Sequence, residues 1–460
     1  MTRGNSSTTS VGDIVAATPA DRDRWADAIR AGSLLVVMLG HWFMVTVSSD
    51  GTIGNVLAVV PALQPITWVL QVMPLFFLVG GVAHAHTLDG LARRGGSERG
   101  RYAVFVRSRA HRLLRPTLVF LGVWVILGLM AHLSGATRGT AGQAPLLVNA
   151  LVMVPQLLWF VGIYLGIGAF APAMYRWHQR AGWTALVVLV VAAVAVDVVR
   201  FALGFGILGN LNFALVWLAV HQAGFLWRDG RLDGRTGPML ALVAAVGFAV
   251  ALRVGPYPVS MVGLPGAEVS NMAPPTAALL AQGFTVIGLA AWVRRPMNDW
   301  LSRPSVWQWV VRAGGLAMTA FLWHLTALLA TLVVARVLGI ALPEPASALW
   351  WWTRPLWILV LLLPTAALIA IFLRFDRPGA GRGEDGIPAE SRSWPDLLAV
   401  LAVVVVVFGV LMVSITGVDI LGNRPQFFLV GEVTPAVAFA VLLAGLGLLR
   451  VCRPRTSPPG

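Results

Sequence analysis

Apolar runs of about twenty residues, the length needed to cross a hydrocarbon core, recur from one end of this chain to the other. They fall at roughly 29–48, 66–86, 113–134, 154–175, 183–203, 210–227, 237–254, 275–293, 314–337, 352–373, 397–416 and 432–450. Lipid offers no hydrogen-bond partners, so each run must satisfy its own backbone, and a helix does so. The chain is 57% hydrophobic and only 12% charged, with mean hydropathy +0.78. A soluble domain carries about twice that charged share. The expected fold is therefore all-α, a polytopic transmembrane helix bundle of about twelve spans. Pro155 interrupts the fourth run, which begins near Leu146. Tryptophans near the ends of runs, such as Trp25, Trp227, Trp300 and Trp350 to Trp352, suit interface anchors.

The basic residues fix the expected orientation. Lysine is absent, and the 34 basic residues are all arginine. With the N-terminus inside, all fall on the cytoplasmic side except Arg138, Arg200, Arg253, Arg336, Arg354 and Arg424. That asymmetry is a positive-inside signal and places both termini in the cytoplasm, in a cell inner (plasma) membrane. It also accounts for the net charge of +14 without nucleic acid as a partner. Met1 to Asp23 is polar, lacks the apolar core of a signal peptide, and reads as a flexible cytoplasmic N-terminus. The single cysteine, Cys452, excludes internal disulfides, and no metal-ligand spacing is present. Residues 24–375 form the expected membrane core and 376–396 a Gly/Pro-rich cytoplasmic linker. Residues 397–451 would add a two-span hairpin, and 452–460 a cytoplasmic tail. No internal repeat is evident.

Polar residues inside apolar runs are costly and mark function. Asp27, Arg30 and His41 are the first such group. Arg30 and His41 are eleven residues apart, close to three helical turns, so they share a face with a rise of roughly 16 Å. An imidazole in a wet cavity at that depth can accept a proton from a hydroxyl. A histidine packed against a backbone carbonyl would look the same in sequence. His324, in Phe321-Leu-Trp-His324, is a second histidine at mid-span depth. Arg107, Arg109 and Arg112 precede the third span and Arg115 stands at its start, and the last three recur every third residue, as neighbours on a helix. Guanidinium forks so spaced suit phosphates, and they equally suit lipid head groups. Asp197 and Arg200 are expected to pair with each other. His221 and Gln222 are placed to line a cavity. His84 and His86, two apart, do not share a face well enough to chelate. The external loop from Arg253 to Pro275 holds Tyr257, Ser260, Ser270 and Asn271.

Together these residues resemble acyltransferase family 3, integral membrane O-acyltransferases that modify surface glycans, lipids and some antibiotics. The start Arg24-Trp-Ala-Asp27-Ala-Ile-Arg30 followed by His41 is similar to the family's first helix, with its arginine, ten residues and histidine. Pro74-Leu-Phe-Phe-Leu-Val-Gly80-Gly81 resembles its second-helix motif, with Gly80 where many members have Ser. Arg109 and Arg112 match its Arg-x-x-Arg element. Leu158-Trp-Phe160 with Tyr164, and Phe321-Leu-Trp-His324, also look familial. The loop from Tyr257 through Ser270-Asn271 to Pro275 resembles actinobacterial members especially. The likeness covers about residues 20 to 375; the family core has ten spans, so the last two are an addition.

The resemblance implies a cytoplasmic acyl-CoA, acetyl-CoA by preference, as donor substrate and no permanently bound cofactor. Arg109, Arg112 and Arg115, with Arg107, would hold the donor phosphates. The pantetheine arm would thread the bundle towards His41, the general base. Arg30 would orient the donor or bias the titration of His41, and His324 would position the acceptor or stabilise an oxyanion. Tyr164, Ser270, Asn271 and Asp27 are candidates for meeting the acceptor, a hydroxyl of an extracytoplasmic glycan, glycolipid or secreted small molecule. The rival reading is a twelve-span secondary transporter, or a lipid-linked sugar carrier.

Overall fold

A computed structural model describes residues 11–48, 53–93, 101–137, 146–376 and 394–451. The first ten residues, Arg138, nearly all of the 376–396 linker and the tail with Cys452 lie outside them. Among the described residues the fold is helical, with two small antiparallel hairpins, β1 (Val45–Val47) with β2 (Ile53–Asn55) and β3 (Gln426–Phe428) with β4 (Gly431–Val433). The first long helices are α1 (Arg24–Met44), α2 (Met73–Arg93), α3 (Arg101–Leu133), α4 (Trp159–Ala181), α5 (Trp183–Ala202) and α6 (Asn212–Arg228). They are followed by α7 (Thr236–Val254), α8 (Ala277–Trp292), α9 (Pro304–Val337), α10 (Ala348–Asp376), α11 (Trp394–Thr416) and α12 (Pro435–Val451).

Among the described residues, eight helices are long and apolar enough to cross a membrane alone, and nine if α8 and the short helix Arg294–Leu301, bent by 56°, count as one span. The expectation of about twelve exceeds that number. Of the remaining helices, α1 carries charge in its first turns, and α6 and α12 are 17 residues long. The physical reason for the polarity of α6 is its position. Every residue from Val216 to Trp227 is buried by other helices, so it needs no lipid-facing stripe and holds His221 and Gln222 inside. Helices α5, α7 and α10 show the opposite pattern, with exposed Val191, Leu242, Val243, Leu356 and Leu363 as an apolar outer skin.

Two element boundaries differ from the sequence reading. Helix α1 ends at Met44, before the expected limit, because the β-branched run Val45-Thr-Val47 pairs with Ile53–Asn55. His41 therefore stands in the last turn of its helix. The fourth apolar run is broken where Pro155 falls. A helix Leu146–Met153 gives way to a 3₁₀ turn over Pro155–Leu158, and α4 starts afresh at Trp159.

Helices α2 and α6 meet backbone to backbone through Gly81 and Gly224. A Cβ on Gly81 would lie 2.2 Å from the carbonyl oxygen of His221, and one on Gly224 would lie 2.2 Å from that of Leu78. At the inner end, Asp23 caps α1, accepting from the Ala26 amide, while Trp227, Asn298 and Arg294 also donate to it. Burial works against ionisation of Asp23, but Arg294 and these hydrogen bonds outweigh it and hold the carboxyl below its ordinary value.

Two outcomes follow. Gly224→Val should give little folded protein by size-exclusion chromatography in detergent, since backbone rather than a flexible side chain blocks the new atoms. Asp23→Ala should lower the thermal midpoint at neutral pH. A depressed carboxyl stabilises above its ordinary value of 3.8 and loses that contribution as pH falls below it, so the gap between variant and wild type should close on acidification.

Candidate active site

His41 and His324, 283 residues apart in sequence, meet between α1 and α9. His41 Nδ1 lies 2.8 Å from His324 Nε2, and the rings are nearly coplanar, at 4°. The other nitrogen of His324, Nδ1, lies 2.6 Å from the carbonyl oxygen of Phe321. A carbonyl only accepts, so His324 Nδ1 carries a proton and donates it. In neutral His324, Nε2 is then a lone pair, so His41 Nδ1 donates to it. Neutral His41 is left with its own lone pair on Nε2. His324 is fully buried, and the Trp42 indole donates to its carbonyl at 3.2 Å, which ties α1 to α9 beside the pair. The Trp357 indole donates to the Trp42 carbonyl at 3.2 Å and brings in α10.

Arg30 and Asp27 stay at the inner end of α1. Asp27 accepts from Arg30 at 3.2 Å and from Arg22 at 2.7 Å. Its carboxylate is thus engaged by two guanidiniums and does not reach the histidines. Arg30 is roughly 16 Å of helix below His41. Direct control of His41 by Arg30 is not supported by that separation; its neighbours are Asp27 and Gly314. Arg109 donates to Thr87 and lies 5.9 Å from the Phe105 ring. Arg107 is half-buried, while Arg112 and Arg115 are exposed. Tyr164 covers Gly80, where a Cβ would come within 2.9 Å of the phenol ring.

The model for the acyltransferase domain of acyltransferase family 3 matches residues 23–374. The chain belongs to this family. No curated protein and no solved structure matches it. The chain is thus a multi-pass membrane protein of an acyltransferase family. The family match takes in both histidines and the α3 arginines, and it ends before α11 and α12.

The outer loop of this acyltransferase is built differently from the sequence expectation. Asn271 is fully buried and donates to the carbonyls of Pro258 at 2.7 Å and Ser260 at 3.0 Å, while accepting from Thr276 at 2.7 Å. Ser270 accepts from the Met272 amide at 3.0 Å. Both residues shape the loop, and the side-chain amide of Asn271 is fully engaged there. Asp197 does not pair with Arg200 by an ion pair. It accepts from Asn212 at 2.9 Å, Tyr257 at 3.0 Å and the Ala277 amide at 2.6 Å, anchoring the loop to α5, α6 and α8. Arg200 instead lies over Phe201 at 4.5 Å. Val262 and Leu264 of the loop reach Val56, Leu57 and Trp350, beside Phe43 and Met44. The loop thus forms part of a cap over the end of α1 that carries His41.

Sequence reading did not join His84 to His221. Their Nδ1 and Nε2 atoms lie 3.0 Å apart, and both side chains are fully buried between α2 and α6. Nor did it find the inner network in which His178 donates to Asp229 at 3.0 Å and accepts from Gln222 at 3.0 Å. Next to it, Tyr175 donates to Asp89 at 2.7 Å and Arg228 bridges Asp89 and Asp229. The one signal for His84, His221 and Gln222 was their polarity inside apolar runs; Asp89, His178, Arg228 and Asp229 fall just past the ends of those runs and carried none.

The proton placement can be read directly. Nitrogen-15 spectra of histidine-labelled protein should show His41 and His324 protonated at Nδ1. A proton fixed on Nε2 of neutral His41 would contradict the order Phe321, His324, His41.

Proposed function

We propose that this family member moves an acyl group from cytoplasmic acyl-CoA to a hydroxyl of an extracytoplasmic glycan, glycolipid or secreted small molecule, with His41 as general base. The observation that carries this reading is the bare Nε2 of His41, backed by a neutral acceptor, His324, whose own tautomer is set by the Phe321 carbonyl. A base must offer a lone pair and hold the proton it gains. When Nε2 takes the proton of the acceptor hydroxyl, Nδ1–H of the imidazolium still donates to His324, which favours the charged form. The hydroxyl oxygen bonds to the thioester carbonyl carbon, the carbon–sulfur bond breaks, and the proton on His41 is available to the departing thiolate. His324 has both nitrogens engaged in this arrangement. That favours a positioning role behind His41 over contact with an oxyanion.

Arg109, Arg112 and Arg115, with Arg107 and Arg30 near the same inner end, would hold the donor's phosphates. Guanidinium forks suit phosphate oxygens, and the helical spacing of Arg109, Arg112 and Arg115 on α3 supports them as a group. The donor would enter from the inner side, and the acceptor would reach His41 under the cap of the outer loop. The twelve-span topology, the cytoplasmic termini and placement in the plasma membrane belong to this same reading.

The test is transfer and thioester cleavage with radiolabelled acetyl-CoA in nanodiscs, with longer acyl donors and a glycan acceptor also supplied. His41→Ala should lower the rate about 10²–10⁴-fold, the range for a general base, in protein that still elutes as a folded species from size-exclusion chromatography. His324→Ala should lower kcat while leaving KM for the donor near wild type. Arg109→Ala should raise that KM. Folded wild type that neither binds nor cleaves any acyl-CoA, yet passes solute across a vesicle membrane, would favour a carrier instead.

A further inference from the structure

A second polar site lies deeper in the bundle, away from the His41–His324 pair. A small cavity, with room for about one water-sized group, is lined by His84 of α2, Arg109 and Leu113 of α3, Tyr164 and Gly168 of α4, and Val403 of α11. His84 is fully buried, and its Nε2 has no hydrogen-bond partner. Gly168 leaves that edge of the ring open; a Cβ there would sit 3.4 Å from His84 Cε1 and 3.9 Å from Nε2. A buried imidazole nitrogen left without a partner is costly, and it asks for a guest.

The His221 contact tells which kind of guest. One proton lies between His84 Nδ1 and His221 Nε2, 3.0 Å apart. His221 Nδ1 is also buried without a partner, and His221 does not line the cavity. If His84 donated, a buried N–H would be stranded on His221 in packed protein. If His221 donates, the N–H left over is instead on His84 Nε2, which opens on the cavity, where an oxygen can reach and accept it. His84 then carries its proton on Nε2, on the edge facing Gly168. The cavity thus presents an imidazole N–H beside a guanidinium and a phenol, with no carboxylate among its lining residues. It is built for an acceptor oxygen.

Its place suggests whose oxygen. Arg109 is on one side. On the other, Tyr164 touches Phe160, with ring centres 6.0 Å apart, and Phe160 touches Phe321 at 5.3 Å, the residue whose carbonyl holds His324. The cavity lies between the candidate phosphate site and the candidate reacting site. We infer that the cavity of His84, Tyr164, Arg109 and Val403 binds an acceptor oxygen on the arm of the acyl donor, with His221 fixing the tautomer of His84. This rests on the donor reading above. It also gives the C-terminal addition a task, because Val403 of α11 forms one wall of the site.

Binding of acetyl-CoA, acetyl-pantetheine and adenosine 3′,5′-bisphosphate is measured on wild type, His84→Ala, His84→Gln, His221→Leu and Val403→Trp in nanodiscs. Thermal midpoints without ligand verify that each variant is folded. His84→Ala should weaken acetyl-CoA about tenfold, the scale of one buried hydrogen bond, and His84→Gln, which keeps an N–H donor, should recover part of it. Val403→Trp should weaken it by filling the cavity. An equal loss with acetyl-pantetheine identifies an amide carbonyl of the arm. Loss confined to acetyl-CoA and the bisphosphate would put the bound oxygen on a phosphate and overturn its assignment to the arm. Wild-type affinity for all three ligands in folded His84→Ala and Val403→Trp overturns the inference and leaves the donor reading standing. Failure of wild type itself to bind acetyl-CoA overturns both.

Discussion

One backbone carbonyl governs the protonation order of the histidine pair. Phe321 lies one turn before His324 on α9, and its oxygen 2.6 Å from Nδ1 allows only one tautomer of neutral His324. Through that ring the choice passes to His41, and the free lone pair ends on the side of His41 away from α9. A neutral partner of this kind avoids placing a carboxylate in a site surrounded by apolar helices, where an unpaired charge would be expensive. The Trp42 and Trp357 indoles hold the backbones of α9 and α1 at this level, so the order of hydrogen bonds rests on a frame of three helices.

The helical, membrane-spanning character of the chain was legible because lipid imposes length and polarity limits that composition alone reveals. His41, His324, Arg109 and Arg112 were legible as polar residues at unexpected depth or at helical spacing. Pairings across the bundle were not, since nothing local encodes them. His84 and His221 lie 137 residues apart. The i,i+3 spacing of Asp197 and Arg200 suggested a pair, but Asp197 is turned to three donors from other segments. Asn271 has the look of a ligand-binding amide in an exposed loop. Its three hydrogen bonds lie within that loop, a use that depends on how the loop folds back on itself. Span number was harder to read than span existence, because a helix enclosed by protein escapes the apolar rule that its lipid-facing neighbours obey.

Small residues set how close the functional helices come. Gly81 and Gly224 bring the backbones of α2 and α6 together, which carries His84 into reach of His221. Gly80 leaves the space that the Tyr164 ring fills. A serine at that position would compete with the ring, so the glycine and the tyrosine form a matched set. These glycines act by what they leave out.

The same logic applies where α11 lies on α4. A Cβ on Gly162 would stand 2.7 Å from Leu411, Gly166 faces Val407, and Val403, Val406, Val410 and Val413 are all buried. Beyond the helix, the Val418 amide donates to the Leu151 carbonyl at 2.9 Å, and Asp419 meets His132 at 2.5 Å. The addition is therefore seated along the side of α3 and α4 at several levels. A lipid tail has no sideways path between those two helices where α11 is seated. Any membrane-borne molecule bound for the interior must come in along another flank of the bundle or from an aqueous end.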